Sequence, residues 1–344
     1  MQLDNLATAV LSFSSALILS LLLTPFVRSL AVRFNIYDHP TSAVKTHKTP
    51  VPYLGGVAIY IGFAVAMIFI RFFSSFPSGT LRSLRGILAG STVMCLVGLI
   101  DDIKPDGLHY RTKFFFQIAA ALMVIFFGVR IRFVNPPWLA CALTVVWVVG
   151  LTNAFNLIDI MDGLASGVAI VATMAFFFIA LPKEELYVNI ASAALCGAAL
   201  GFFPFNLSKP LRIFMGDGGS LFLGFVCSAL AMGTSYGRQT EWGVFAPLMI
   251  LCLPIFDTLF VFSMRILRGS SPFLGSKDHF ALRMEILGWT RPLILIFSLG
   301  FTALLCLGAF GVTRVSTDGG LVIYGVTIVI LLVFTSYLLK AKVT

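Results

Sequence analysis

A chain of 344 residues that is 58% hydrophobic and 11% charged, with a mean hydropathy of +0.97, is too apolar for a water-soluble domain. Its repeated apolar runs of about 20 residues are long enough to cross a bilayer. In such a chain a net charge of +9 reflects basic cytoplasmic loops, with anionic lipid or substrate as a further attraction, and not nucleic acid as a partner.

The expected fold is all-α, a polytopic transmembrane helical bundle. It forms a single integral membrane domain over 1–344, because no polar loop is long enough to bury a core of its own. Spans fall near 6–24, 54–73, 84–100, 114–129, 138–153, 164–181, 186–203, 220–236, 243–264, 293–313 and 320–339, about eleven in all. The fifth is short and reads as continuing helically beyond Asn153. Asp4, with no basic residue near it, precedes the first span. That argues for a retained span with the N-terminus outside and the C-terminus in the cytoplasm. Roughly two thirds of the basic residues then lie inside. All six cysteines sit in apolar runs without CxxC spacing, and read as small core residues.

The first inner loop, Lys45 to Gly56, combines Lys48 with Gly55-Gly56. It reads either as a basic membrane-surface loop or as a cationic lip where bare backbone approaches a phosphate. Asp101-Asp102 close the third span. Carboxylates at a helix C-terminus are electrostatically unfavourable, so the pair suggests a cation or a proton-transfer group. Arg111 and Lys113 follow, as phosphate ligands or as helix anchors.

The most polar stretch is Asn153-Ala-Phe-Asn156-Leu-Ile-Asp159-Ile-Met-Asp162-Gly163. On a helix its i+3 spacing gives one stripe of oxygen-bearing side chains. Carboxylates beside lipid are functional candidates by default. Downstream, Gly216-Asp217-Gly218-Gly219-Ser220 opens the eighth span. Its helix N-terminus favours an anion, with Gly218 leaving the backbone bare, and Asp217 is suited to Mg2+. The same turn also reads as a simple cap. Asp257, inside the ninth span, is as readily structural as functional. The last inner loop carries Asp278, His279 and Arg283, which could clamp a charged substrate.

Taken in order, these motifs resemble the polyprenyl-phosphate N-acetylhexosamine-1-phosphate transferases, over nearly the whole chain. The resemblance implies transfer of a HexNAc-1-phosphate, GlcNAc-1-phosphate foremost, from a UDP-sugar to a polyprenyl phosphate. UMP is released, Mg2+ or alternatively Mn2+ is the cofactor, and the product begins an envelope polysaccharide at the inner (plasma) membrane. It implies catalytic roles for Asp101, Asp102, Asp159 and Asp162, and a metal role for Asp217. It places Lys48 and Asn156 among the substrate contacts, while Arg111, Lys113, Gly218, His279 and Arg283 join them on the chemistry of their own loops; the one-sided aspartates put the active site at the cytoplasmic face, and a homodimer is one available assembly. Many relatives have a cluster of histidines where this chain has only His279, which tells against phospho-MurNAc-pentapeptide transfer, the runner-up. An ion-coupled transporter is the rival from another class, but it would place its acids at mid-membrane. An intramembrane aspartyl protease lacks its Gly-x-Gly-Asp motif here.

Overall fold

The computed structural model describes residues 4–40, 49–104, 106–183, 185–234, 236, 241–269 and 276–342. Lys48 lies outside them. Among the described residues the chain is helical apart from one antiparallel pair, β1 (Tyr37–Asp38) with β2 (Val51–Pro52). The helices are α1 (Asn5–Arg33), α2 (Gly55–Phe69), α3 (Ser78–Ile103), α4 (Tyr110–Phe126), α5 (Pro137–Ile158), α6 (Leu164–Ala180) and α7 (Leu186–Leu207). They continue with α8 (Asp217–Gly233), α9 (Ala246–Ile250), α10 (Cys252–Leu267), α11 (Phe280–Ile286), α12 (Arg291–Val312) and α13 (Thr317–Leu338).

Every expected span overlaps a helix, and the ninth overlaps two. Among the described residues seven helices are long and apolar enough to cross a membrane, or eight if α9 and α10, which meet at a 74° bend, are one broken span, against the eleven spans expected. The bend divides the ninth expected span at Leu251. The fifth does run on, to Ile158.

The packing follows membrane rules. Helix α1 buries Thr8, Ser12, Ser20 and Thr24 with Ala9 and Ala16, and turns Leu6, Val10, Ile18, Leu22 and Phe26 outward. Small and hydroxyl-bearing residues let backbones approach, while larger apolar residues meet lipid. Thr8, Ser12 and Thr24 satisfy their hydroxyls on carbonyls one turn back. Opposite them, a Cβ at Gly197 or Gly201 of α7 would stand only 2.2 or 2.6 Å from the carbonyl oxygens of Phe13 and Leu17. Helix α7 is central, with 78% of its apolar window buried, and α13 is peripheral, with 17%. The cysteines are free, and all but Cys141 are buried.

Candidate active site

The site is built on the N-terminus of α8. Its first amides lack intrahelical partners, and a carboxylate from another helix supplies them. Asp102 Oδ1 accepts from Asp217 N at 2.8 Å, and Oδ2 accepts from Gly218 N at 3.0 Å. Asp102, at the unfavourable end of α3, thereby sits at the favourable end of α8. Gly216, at φ +75°, makes the turn; a Cβ there would fall 2.4 Å from Asp102 Oδ2. The amides expected to receive a phosphate are thus occupied by Asp102, and Gly218 does not present its N–H to a ligand.

The segment after β2 locks the same turn from the other side. Phe214 N donates to Pro52 O, Gly55 N to Phe214 O, and Gly56 N to Met215 O, at 2.8–2.9 Å. Tyr53 bridges to Phe214 in parallel register, and its hydroxyl donates to the Asp102 carbonyl. A Cβ on Gly56 would lie 2.1 Å from Gly219 N. The glycine pair therefore gives close approach to the α8 turn, not to a phosphate.

With its backbone fixed, Asp217 points its carboxylate into a polar cluster from four helices. Lys113 Nζ of α4 lies 2.6 Å from Asp217 Oδ2 and 2.8 Å from Asp101 Oδ2. Asn156 Nδ2 of α5 donates to Asp217 Oδ1 at 2.8 Å and to Ser220 Oγ at 3.0 Å. The other oxygen of Asp101 accepts from Leu108 N at 2.6 Å, closing the turn into α4. Asp159, just past the end of α5, is influenced by the same centre. Burial, and then the negative charges of Asp217 and Asp162, push its pKa up to about 8.

The i+3 stripe does not survive as one face. Helix α5 stops at Ile158, and Gly163 takes a left-handed conformation at φ +77° before α6. Asn153 pairs with Gln117 of α4, at 2.7 Å for its donated bond. Asp162 turns to Arg212 instead, at 2.5 Å.

Three other expected residues stand apart from the cluster in their contacts. Arg111 is exposed, and its Nε donates to the hydroxyl of Tyr110. His279 Nδ1 lies 2.7 Å from Asp257 Oδ2, and Asp257 Oδ1 accepts from Phe280 N. Buried Asp257 thus holds the start of α11 through His279. Arg283 is 1% exposed. It bonds Asp278 at 2.6 Å and the carbonyls of Leu338 and Ala341, fastening the end of α13. Its guanidinium is engaged in a buried ion pair, which is a bracing role.

Four residues went unrecognised in the sequence: Tyr53, Gln117, Asn206 and Arg212. Asn206 accepts from Gly163 N and donates to Ile213 O, tying the two polar loops together. Their partners are far away in sequence and carry no local spacing signal. Arg212, two residues before Phe214, was the most accessible of them.

The donor set suits a hard divalent cation. Among the described residues, no three His, Cys, Asp or Glu side chains converge as a ready-made cage. Mg2+ commonly takes only one or two carboxylates, completing its shell with water and substrate phosphates. Asp217 and Asp101 already hold a cation between them, the Lys113 ammonium, so their oxygens fit that requirement.

Comparison with known proteins agrees with this geometry. Residues 84–235 match the model of "Glycosyl transferase family 4". The chain is 32% identical over 311 residues, 87% of its length and 84% of the relative's, to the Bacillus subtilis "Probable undecaprenyl-phosphate N-acetylglucosaminyl 1-phosphate transferase". It is 30% identical, over 93% of itself and 86% of the relative, to the Mycolicibacterium smegmatis decaprenyl-phosphate N-acetylglucosaminephosphotransferase. A phospho-N-acetylmuramoyl-pentapeptide-transferase from Acetivibrio thermocellus is 28% identical over 89% of the chain and 94% of the relative. With an all-helical membrane architecture and an acidic cluster on the matched segment, the chain belongs to glycosyl transferase family 4, as a membrane phosphoglycosyl transferase of the polyprenyl-phosphate N-acetylhexosamine-1-phosphate type.

Proposed function

We propose that the protein transfers GlcNAc-1-phosphate from UDP-GlcNAc to a polyprenyl phosphate, releasing UMP, at the cytoplasmic face of the plasma membrane. The observation that carries this reading is the Asp101–Lys113–Asp217–Asn156 cluster, assembled at helix ends from distant parts of the chain. The names of the relatives support the sugar and the lipid. The N-acetylglucosamine relative of Bacillus subtilis is 32% identical over 87% of the chain, whereas pentapeptide transferases reach 28% over 89% or 34% over only 66%. The cluster lies at the adjoining ends of α3, α4, α5 and α8, and the basic bias of the nearby loops supports the inner side.

In this reading an oxygen of the lipid phosphate attacks the β-phosphorus of the donor. The bond from that phosphorus to the bridging oxygen breaks, and UMP leaves with the oxygen. Asp217, with Asp101, would hold Mg2+, whose chemistry is to neutralise the diphosphate. Lys113, beside both carboxylates, is placed to stabilise charge growing on UMP. Asn156 fixes the rotamer of Asp217. Asp159, whose carboxyl is raised by burial and by the charges of Asp217 and Asp162, is the group placed to take the proton of a phosphate monoester once it is itself ionised. Asp102 acts through the backbone of α8 and is a positioning residue.

The test is direct. Purified protein, UDP-GlcNAc, undecaprenyl phosphate and Mg2+ should yield UMP and a lipid-linked sugar diphosphate, and Asp217→Asn should lose at least 100-fold in rate while keeping its melting profile. Failure with UDP-GlcNAc, UDP-GalNAc and UDP-MurNAc-pentapeptide alike would overturn the transferase reading. Full activity in Asp217→Asn would overturn the metal assignment.

A further inference from the structure

Asn153 opens the polar stretch but takes no part in the cluster, yet its side chain is fully engaged. Its Nδ2 donates to Gln117 Oε1 of α4 at 2.7 Å, and to Val149 O one turn back on α5, also at 2.7 Å. Its Oδ1 accepts from Gln117 Nε2 at 3.3 Å. The two carboxamides thus close a reciprocal ring between neighbouring helices. Gln117 is 1% exposed, so its amide has no recourse to bulk water, and a buried amide without a partner is costly. Holding two amides there needs a return beyond simple adhesion, which apolar side chains would supply as well.

The ring lies one turn beneath the cluster on both helices. Gln117 follows Lys113 by four residues, about 6 Å along α4, and Asn153 precedes Asn156 by three, about 4.5 Å along α5. The two helices run in opposite directions, so the faces that carry the ring also carry the two side chains that reach Asp217. The rest of the packing of α4 discriminates register poorly. It rests on α3 and α5, and its buried apolar residues are Ala120, Ala121 and Val124. Phe115, Phe116, Ile118, Leu122 and Phe126 are exposed, and nothing braces α4 on their side. A slip of one residue would move Gln117 by about 1.5 Å and turn it through about 100°, breaking both bonds of the ring. Fixing register where apolar contacts do not is the best-attested use of a buried amide between helices.

We propose that Gln117 and Asn153 are a positioning pair for the transfer reaction: their ring sets the register of α4 on α5 at which Lys113 and Asn156 both meet Asp217. Neither residue touches the reacting atoms. Removing one amide strands the other and destabilises the bundle. Replacing both by leucine strands nothing, so the fold survives, but α4 is then free to shift and carries Lys113 away from the two carboxylates. Displacement on that scale is what catalysis tolerates least. The link to turnover rests on the transferase reading; the placing of Lys113 does not.

The test compares three variants of the full chain in detergent with the unaltered protein. Gln117→Leu with Asn153→Leu should melt close to the unaltered protein, yet lower kcat by about 10- to 100-fold with little change in KM for donor or lipid. Gln117→Asn keeps an amide but shortens its reach by one methylene, and should lose rate in the same way. Adding Asn153→Gln to it restores the summed length of the two side chains and should restore kcat. Acetylation of Lys113 by an amine-reactive reagent, followed by mass spectrometry, needs no turnover. Held between Asp101 and Asp217, Lys113 should react faster in the first two variants and at the original rate in the exchanged pair. Full kcat with unchanged Lys113 labelling in the double leucine variant overturns the proposal, as does an exchanged pair that folds but recovers neither. If the double leucine variant does not fold, Gln117→Asn decides, and unchanged rate and labelling there overturn the proposal. Labelling in the expected order, with no UMP formed even by the unaltered protein, overturns the transferase reading and leaves the placing of Lys113 by the pair intact.

Discussion

Asp101 and Asp102 are neighbours with opposite tasks. One faces Lys113 and the polar cluster; the other turns back and caps a helix. In the sequence they are indistinguishable, because the difference is made by where α8 begins, more than a hundred residues later. Replacing Asp102 by Asn puts an NH2 group against one of two backbone donors. It should cost about 1–3 kcal/mol of stability, and lower the transfer rate by displacing Asp217; thermal melting with a rate assay checks both. The carboxyl of Asp159 gives a pH-dependent prediction. Its folded pKa of about 8 exceeds the ordinary value of about 4. Between those two values the folded state holds more protons, so this group's contribution to stability falls as pH rises. With EDTA present, Asp159→Asn should melt progressively higher than the unaltered protein from pH 5 to pH 8. A constant difference across that range would refute the assignment.

At the scale of elements, helix existence was legible and helix ends were not. Long apolar runs fix where a membrane helix must be, and each expected span meets a helix. The i+3 pattern of Asn153 to Asp162 misled because periodicity says nothing about termination. Asp159 and left-handed Gly163 stop the helix, and the polar residues then find separate partners. Gly55-Gly56 were noticed for the right property, a bare backbone, but assigned the wrong neighbour. A Cβ at Gly56 meets backbone of the α8 turn, which cannot swing aside, whereas one at Gly79 has nothing within 4 Å. Gly56→Ala should therefore abolish transfer and sharply lower the melting temperature. Gly79→Ala should leave both unchanged. Equal tolerance of the two substitutions would show that the strand-like segment is not docked on the α8 turn.

Over the whole molecule, charged residues divide into those beside the cluster and those that brace the bundle. The sequence placed Arg283 with the first kind because it follows a histidine in a basic loop. Its burial against Asp278 and the end of α13 puts it with the second. Removing one partner of a buried ion pair destabilises by about 3 kcal/mol, and Arg283→Ala should do so. It should also make the last residues sensitive to carboxypeptidase, while the transfer rate measured at low temperature falls less than threefold. Loss of activity without loss of stability would instead return Arg283 to the substrate.

The pairing of α1 with α7 has a consequence for biogenesis. Helix α2 covers the first helix along Ala16 and Ser20 as soon as it follows, but the close approach at Phe13 and Leu17 has no mate until the seventh leaves the ribosome, so that part of the surface must wait bare at the translocon or in lipid. Such a joint is specified by surface shape and not by the connecting peptide. Two separately translated pieces, severed between α6 and α7, should find one another in the membrane and recover function. Widening Gly197 or Gly201 to valine should block that reunion before it harms anything else.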